Sequence, residues 1–179
     1  MKNNFLIWCP IILLCFCFAE CKKSSNPADQ LPHATQTGAN TFGCLVNGKV
    51  FVPQSNCFFL CSPPLEFYFD NSNGGQFGVK AENENLKETI TFGLDTCNIA
   101  KRYSYYINPN YPVRFSFTPS NGICDLSTRL DTQVIANGFV DITRFDLLNG
   151  VISGTFEFTL SKSGCETKNI TNGRFDAKL

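Results

Sequence analysis

Paired carboxylates are the side chains of this sequence that could carry out hydrolysis. The candidate pairs are Glu66 with Asp70, Glu82 with Glu84, and Asp141 with Asp146. Two carboxylates can cleave a glycosidic bond, one as the acid and the other as the base or nucleophile. Each of these acids falls at an alternate strand position or in a predicted turn, where a carboxylate is normally solvated. An acid-dyad hydrolase is therefore the weaker hypothesis, and we expect that the protein is not an enzyme.

The single histidine removes several other chemistries from the folded part of the chain. His33 lies in a polar segment that precedes the predicted domain. Ser-His-acid triads, Cys-His pairs and His-containing metal sites all need an imidazole. Residues 70–75 (DNSNGG) are similar to a calcium loop, but Ala81 stands where that loop has its bidentate Glu. A hairpin turn is the preferred interpretation of this segment, and we expect no metal and no cofactor.

Four tyrosines near Arg102 form the candidate ligand contact. They are Tyr103, Tyr105, Tyr106 and Tyr111. Exposed tyrosines stack on sugar faces or anchor a protein contact. Ordinary packing and cross-strand pairing explain the same residues. A carbohydrate- or peptide-binding module that uses residues 103–111 is accordingly an alternative hypothesis.

Ten cysteines in 179 residues favour an oxidising compartment. The six in the predicted domain are disulfide candidates, namely Cys44, Cys57, Cys61, Cys97, Cys124 and Cys165. Six thiols allow 15 complete pairings, so the sequence does not choose among them. Burial as free, apolar side chains is the alternative for some of them. Zinc is disfavoured, because no second close pair follows the C-x3-C spacing of Cys57 and Cys61.

The N-terminus has the pattern of an export signal. Residues 5–18 are apolar apart from one proline, and this run is shorter than the ~20 residues of a membrane-spanning helix. We therefore interpret residues 1–20 as a lipoprotein signal peptide. Cys21 follows at the junction and is the predicted lipidation site, at which a diacylated cysteine would anchor the protein. Residues 21–40 are then the lipidated cysteine with a flexible tether.

The elements that position these residues are predicted to be β-strands. Apolar residues alternate with polar ones over residues 65–70, 76–81, 89–94, 112–118 and 151–160, as in strands with one buried face. Six Asn-Gly pairs, which favour tight hairpin turns, begin at Asn47, Asn73, Asn121, Asn137, Asn149 and Asn172. We predict a single all-β domain over residues 41–179, folded as an antiparallel β-sandwich or a partly open barrel of roughly ten strands.

Three segments resemble a known group of proteins. They are residues 42–53 (FGCLVNGKVFVP), 151–160 (VISGTFEFTL) and 170–176 (ITNGRFD). These segments look like those of small Bacteroidota cell-envelope lipoproteins classed as domains of unknown function. The resemblance covers residues 21–179 and supports the fold and the location, and it assigns no catalytic residue.

Together these observations predict a lipid-anchored protein of the bacterial cell envelope. It would be an outer-membrane lipoprotein that faces the periplasm or the cell surface. Its lipid would hold it to the membrane, and its partner would be an unidentified protein or glycan. The 15 basic and 15 acidic residues give a net charge of zero, which offers no reason to expect nucleic acid. The expected role is non-catalytic binding or display.

Overall fold

The computed structural model describes residues 26–57, 59, 62–105 and 113–179. Within these residues eleven strands follow one another along the chain: β1 (Thr41–Val46), β2 (Lys49–Phe51), β3 (Leu65–Asp70), β4 (Gln76–Asn83), β5 (Glu88–Leu94), β6 (Arg102–Ser104), β7 (Val113–Pro119), β8 (Leu126–Ser127), β9 (Ile135–Asp146), β10 (Val151–Ser161) and β11 (Lys168–Lys178). Two short 3-10 turns, Pro27–Gln30 and Ser72–Gly74, complete the elements. No helix of the described residues is long and apolar enough to cross a membrane.

The strands form two antiparallel sheets. The six-stranded sheet has the order β2-β1-β11-β10-β9-β6, and the five-stranded sheet has the order β3-β4-β5-β7-β8. The predicted all-β class is confirmed. Neither sheet closes on itself, so the structure is consistent with the predicted sandwich. The five alternating segments of the sequence correspond to β3, β4, β5, β7 and β10. Their apolar residues face inward, because successive strand side chains point to opposite sides of a sheet.

Phenylalanines from both sheets meet in the core. The rings of Phe115 and Phe158, on β7 and β10, stack with their centroids 4.2 Å apart. Phe92 and Phe156 make a second contact between the sheets at 5.0 Å. Burial of each such ring contributes about 1.5–3 kcal/mol, so these contacts hold the two sheets together.

Two of the six Asn-Gly pairs do not form turns, which corrects that part of the prediction. Asn137-Gly138 lies within β9, and Asn172-Gly173 lies within β11. A Cβ atom at Gly138 would lie 2.3 Å from the carbonyl oxygen of Glu157, and one at Gly173 would lie 2.4 Å from that of Phe156. Glycine is needed at these positions because the β10 backbone comes too close for a side chain. The other four pairs lie in connections between strands, as predicted.

The chain before β1 packs against the six-stranded sheet. We call residues 31–40 the N-terminal strap. Leu31 is buried, and Asp176 of β11 accepts hydrogen bonds from the backbone N–H groups of Thr37, Gly38 and Ala39. The described part of the predicted tether therefore contacts the domain. The predicted signal peptide and Cys21 lie outside the described residues.

Candidate functional site

A groove crosses the outer face of the five-stranded sheet. The strand register places Tyr68, Gly78, Gly93 and Arg114 in one row, on β3, β4, β5 and β7 respectively. The two glycines leave the middle of the row without side chains, so Tyr68 and Arg114 become its walls. The resulting cavity has a volume of about 300 Å³.

The glycines on the floor of the groove are not required by the fold. A Cβ atom at Gly78 would approach no neighbouring atom closer than 3.9 Å, and one at Gly93 none closer than 4.0 Å. Neither residue has a positive φ, so the backbone conformation does not require glycine at either position. Glycine in the interior of a strand weakens the strand and often marks a bulge, a tight bend, or a place where a ligand or another backbone approaches closely. Gly78 and Gly93 therefore differ from Gly138 and Gly173, where packing leaves no room for a side chain.

The two walls of the groove differ in chemistry. Tyr68 is 57% exposed, and its hydroxyl donates to Asp70 at 3.3 Å. Arg114 forms an ion pair with Asp95 at the other end. Arg129 also lines the groove, and within the described residues it has no ion pair. One wall is thus aromatic and the other carries guanidinium groups.

Uncharged polar side chains lie between these walls. Gln76, Thr91 and Ser116 line the same cavity. Amide and hydroxyl groups both donate and accept hydrogen bonds, so they suit a ligand rich in hydroxyl groups. Tyr68 also lines a second cavity of about 540 Å³, together with Pro63 and Lys178. The tyrosine therefore contributes to two neighbouring cavities.

A match to a family model covers the groove and all or most of every strand except β1 and β2. Residues 67–177 match the model described as Domain of unknown function (DUF6252). The chain belongs to the DUF6252 family. The comparisons with curated proteins and with solved structures gave no match. The expected membership of a family of unknown function is thereby confirmed.

The predicted tyrosine site is only partly described, and it lies apart from the groove. Tyr103, in the DUF6252 domain, is buried, and its hydroxyl donates to the carbonyl oxygen of Ile99 at 2.9 Å. Burial raises the pKa of this phenol. Tyr105 is half-buried against Phe115, with ring centroids 5.9 Å apart. Tyr106 and Tyr111 lie outside the described residues, so a site that includes them stays a prediction.

Tyr105 nevertheless reaches a cavity on the six-stranded sheet. This cavity of about 480 Å³ is also lined by Arg102, Phe139 and Glu157. The guanidinium of Arg102 already lies over the Phe139 ring at 4.0 Å and bonds Asp141 at 2.9 Å. Because Arg102 and Phe139 already contact each other, this surface is a poorer ligand site than the Tyr68 groove.

The candidate acids have local partners. Glu66 and Glu82 share Lys80, at 3.8 and 3.6 Å respectively. Glu84 accepts a hydrogen bond from the Ser55 hydroxyl at 3.0 Å. These contacts are those of surface carboxylates that neutralise a cation or stabilise a turn.

The acids near β9 are bound in the same way. Asp141 pairs with Arg102, and hydrogen bonds from Arg144 and Asn149 lower the pKa of Asp146 to about 2. Asp70, at the Tyr68 end of the groove, also has a lowered pKa because the backbone and hydroxyl of Ser72 donate to it. A carboxyl with a lowered pKa is a poor general acid at neutral pH.

One carboxyl with a raised pKa lies elsewhere. Burial raises the pKa of Glu88, an effect that Lys168 opposes and Glu166 reinforces. These three residues and Lys49 line a cavity of about 320 Å³. The lysines offset the carboxylates, so the cluster is close to neutral and is accounted for as a partly buried ion network.

The cysteines divide into bonded and free ones. Cys124 and Cys165 form a disulfide with Cα atoms 5.6 Å apart, as two of the predicted candidates, and Cys57 is also in a disulfide. Cys44 and Cys97 are free and buried, which corrects their assignment as disulfide candidates. Each packs in the core as a small apolar side chain, and burial raises the pKa of both thiols.

Cys61, the remaining candidate, lies outside the described residues. Among those that are described, no group of three or more His, Cys, Asp or Glu side chains could hold a metal ion. The DNSNGG segment begins at Asp70, the last residue of β3, and its other residues connect β3 to β4 and contain the Ser72–Gly74 turn, in agreement with the hairpin interpretation.

Reasoning from the sequence missed the groove, although a signal for it was present. Gly78 and Gly93 occupy polar-face positions within two alternating segments, where a side chain is expected. A glycine on the wet face of a strand has no packing reason that the sequence reveals. Only the register between β4 and β5 shows that the two glycines are direct neighbours.

Proposed function

We propose that the protein is a lipid-anchored, non-catalytic carbohydrate-binding module of the bacterial cell envelope. Cys21 carries the lipid, and the groove between Tyr68 and Arg114 holds the sugar. The observation that carries the proposal is the pair of neighbouring glycines, Gly78 and Gly93, whose missing side chains open a groove that the fold does not require.

The chemistry of the groove supports a saccharide as the ligand. The exposed face of Tyr68 offers a surface on which a sugar ring stacks. The amide of Gln76 and the hydroxyls of Thr91 and Ser116 line the same groove and are groups that can donate hydrogen bonds to a sugar's hydroxyls or accept them. A volume of about 300 Å³ matches the lower end of small-ligand sites, so the groove suits a short stretch of a glycan chain.

The non-catalytic role is supported by the state of the acids near the groove. Asp95 is held by Arg114, and Asp70 accepts hydrogen bonds from Ser72 and Tyr68. A glycosidase needs one carboxyl that is protonated near neutral pH and a second one across the bond that is cleaved. These two acids are engaged in ion pairing and hydrogen bonding instead.

Filling the groove tests its role in binding. The detergent-solubilised full chain and its Gly93→Val variant are compared on a glycan array and by calorimetry. Because the position has room for a Cβ, we expect the Tm of Gly93→Val to be equal to or above that of the wild type, with a gain of up to about 1 kcal/mol from strand propensity. Glycan binding should fall at least tenfold.

Thr89→Val is the matched control. It adds the same side chain on the same strand and face, but Thr89 does not line the groove. This variant should bind as the wild type does. Unchanged binding by Gly93→Val, or an array on which the wild type binds no saccharide, would contradict the proposal.

The lipid anchor is tested by fractionation of the cells that produce the protein. Cys21→Ser should release a soluble form, because an acyl chain is then absent. Cys17→Ser, which changes a cysteine within the apolar run, should leave the protein in the membrane fraction. Membrane association of Cys21→Ser equal to that of the wild type would refute lipidation at this residue.

A further inference from the structure

The charges that line the groove are distributed unevenly. Asp95, Arg114 and Arg129 all lie at the β7–β8 end, and together they carry one net positive charge. Between this end and Tyr68 the lining side chains are uncharged, and Asp70, which accepts a hydrogen bond from the Tyr68 hydroxyl, lies outside the lining of the groove. A ligand in the groove therefore meets an aromatic ring at one end and positive charge at the other.

The two arginines retain hydrogen-bonding capacity. A guanidinium has five N–H donors in a planar fork, and Arg114 gives one of its nitrogens to one oxygen of Asp95. Its side chain is 39% exposed, and within the described residues it forms no second ion pair. Arg129 is exposed and, in the part of the chain that the structure describes, has no ion pair. Such a fork matches the geometry of a carboxylate or a sulfate.

We propose that the groove selects an anionic saccharide, whose ring stacks on Tyr68 and whose carboxylate or sulfate group is bound by Arg114 and Arg129. This inference rests on the proposed function, since it names the class of glycan that the same groove binds. Tyr68 and Arg114 are separated by three strand spacings, or roughly 14 Å at about 4.8 Å each. That length accommodates a short oligosaccharide that contacts both ends at once.

Matched pairs of saccharides test the selectivity directly. The probes are oligogalacturonates and sulfated oligosaccharides, each paired with its own carboxyl-reduced or desulfated form, and they are presented to the full chain in detergent. We expect the anionic member of a pair to bind at least tenfold more tightly than its neutral counterpart. Because the attraction is between charges, its affinity should also fall as NaCl is raised from 50 to 300 mM.

Variants that remove one positive charge identify the residues responsible. Arg129→Gln should weaken binding of the anionic probe at least tenfold and reduce its salt dependence, with no change toward the neutral form. Lys80→Gln is the matched control, because it also removes one positive charge and lies on the same face of β4 as Gly78, but it is outside the groove and pairs with Glu66 and Glu82. It should bind both probes as the wild type does.

The outcomes separate the two proposals. Equal binding of anionic and neutral members, or an unchanged Arg129→Gln, overturns the anionic selectivity while the carbohydrate-binding function stands. Binding of no saccharide at all overturns the proposed function. Binding of acidic peptides with no saccharide bound overturns both, and would assign the arginines to a protein partner.

Discussion

Replacement of Asp176 by asparagine tests whether the N-terminal strap is part of the folded domain. The fully buried carboxylate accepts six hydrogen bonds from the strap and from β10. Three come from the backbone N–H groups of residues 37–39, and three come from the hydroxyls of Thr35, Thr37 and Ser153. No positive side chain is among these donors, so all six hydrogen bonds to the charge come from neutral groups.

The expected loss follows from the number and kind of these bonds. A hydrogen bond to a charged group contributes about 1.5–3 kcal/mol, and a buried donor left without a partner costs about 1–3 kcal/mol. The asparagine amide keeps one oxygen that can accept hydrogen bonds. Its NH2 group replaces the second carboxylate oxygen, so the donors bonded to that oxygen in the wild type lose their acceptor. We therefore expect Asp176→Asn to lower the free energy of unfolding by about 2–4 kcal/mol. For a domain of this size that corresponds to a fall in Tm of roughly 5–15 °C.

Urea and thermal unfolding at pH 7 measure the loss. Asp131→Asn is the control, because Asp131 also accepts hydrogen bonds but lies at the surface beside Lys162, 2.7 Å away. Its Tm should stay close to that of the wild type. A free energy of unfolding for Asp176→Asn within about 0.5 kcal/mol of the wild-type value would show that this carboxylate does not hold the strap. That difference is well below the contribution of one hydrogen bond to a charged group.

The same residue predicts a pH dependence. Burial alone would raise the pKa of Asp176, but the hydroxyls of Ser153 and Thr35 and the strap N–H groups hold it well below its usual range. Because the pKa is lower in the folded state, the stabilisation is complete above the unfolded value of about 3.9 and is lost as the pH falls below it. The difference in stability between the wild type and Asp176→Asn should therefore shrink below pH 4. A constant difference down to pH 2 would contradict this origin.

Three further predictions concern the core and the loops. The pKa of Glu88 is raised in the folded state, so its charged form destabilises the fold. Glu88→Gln should therefore raise the Tm at pH 7, and this gain should vanish as the pH falls toward 4. A Tm below that of the wild type at pH 7 would contradict the prediction. The disulfide between Cys124 and Cys165 joins residues 41 positions apart in the sequence. Replacing both cysteines by serine should lower the free energy of unfolding in urea by about 4 kcal/mol. An unchanged free energy of unfolding would contradict a stabilising disulfide here. Cys44 and Cys97 are buried, so they should react with a thiol reagent only after denaturation. Mass spectrometry of the alkylated protein measures this reaction. Labelling of either cysteine in the native protein would contradict their burial.

Local patterns in the chain predicted much of the sandwich. The alternation over β3, β4, β5, β7 and β10 is visible in the sequence because strand side chains alternate with a period of two residues. The sequence pattern did not predict a continuous strand β9, because Asn137-Gly138 is a turn signal when only neighbouring residues are considered. The approach of the β10 backbone, which is what requires Gly138, is a contact between residues far apart in sequence.

Composition alone limited histidine chemistry to the single side chain of His33, because folding cannot supply a residue that the chain lacks. Tertiary structure decided what the present residues do. Pairing of strands placed Gly78 beside Gly93 and Tyr68 across from Arg114, and it brought Asp176 to a strap more than 130 residues earlier in the chain. These relations depend on register and on long-range hydrogen bonds, which no local sequence pattern encodes. The groove and its charges therefore became visible only when the sheets were assembled.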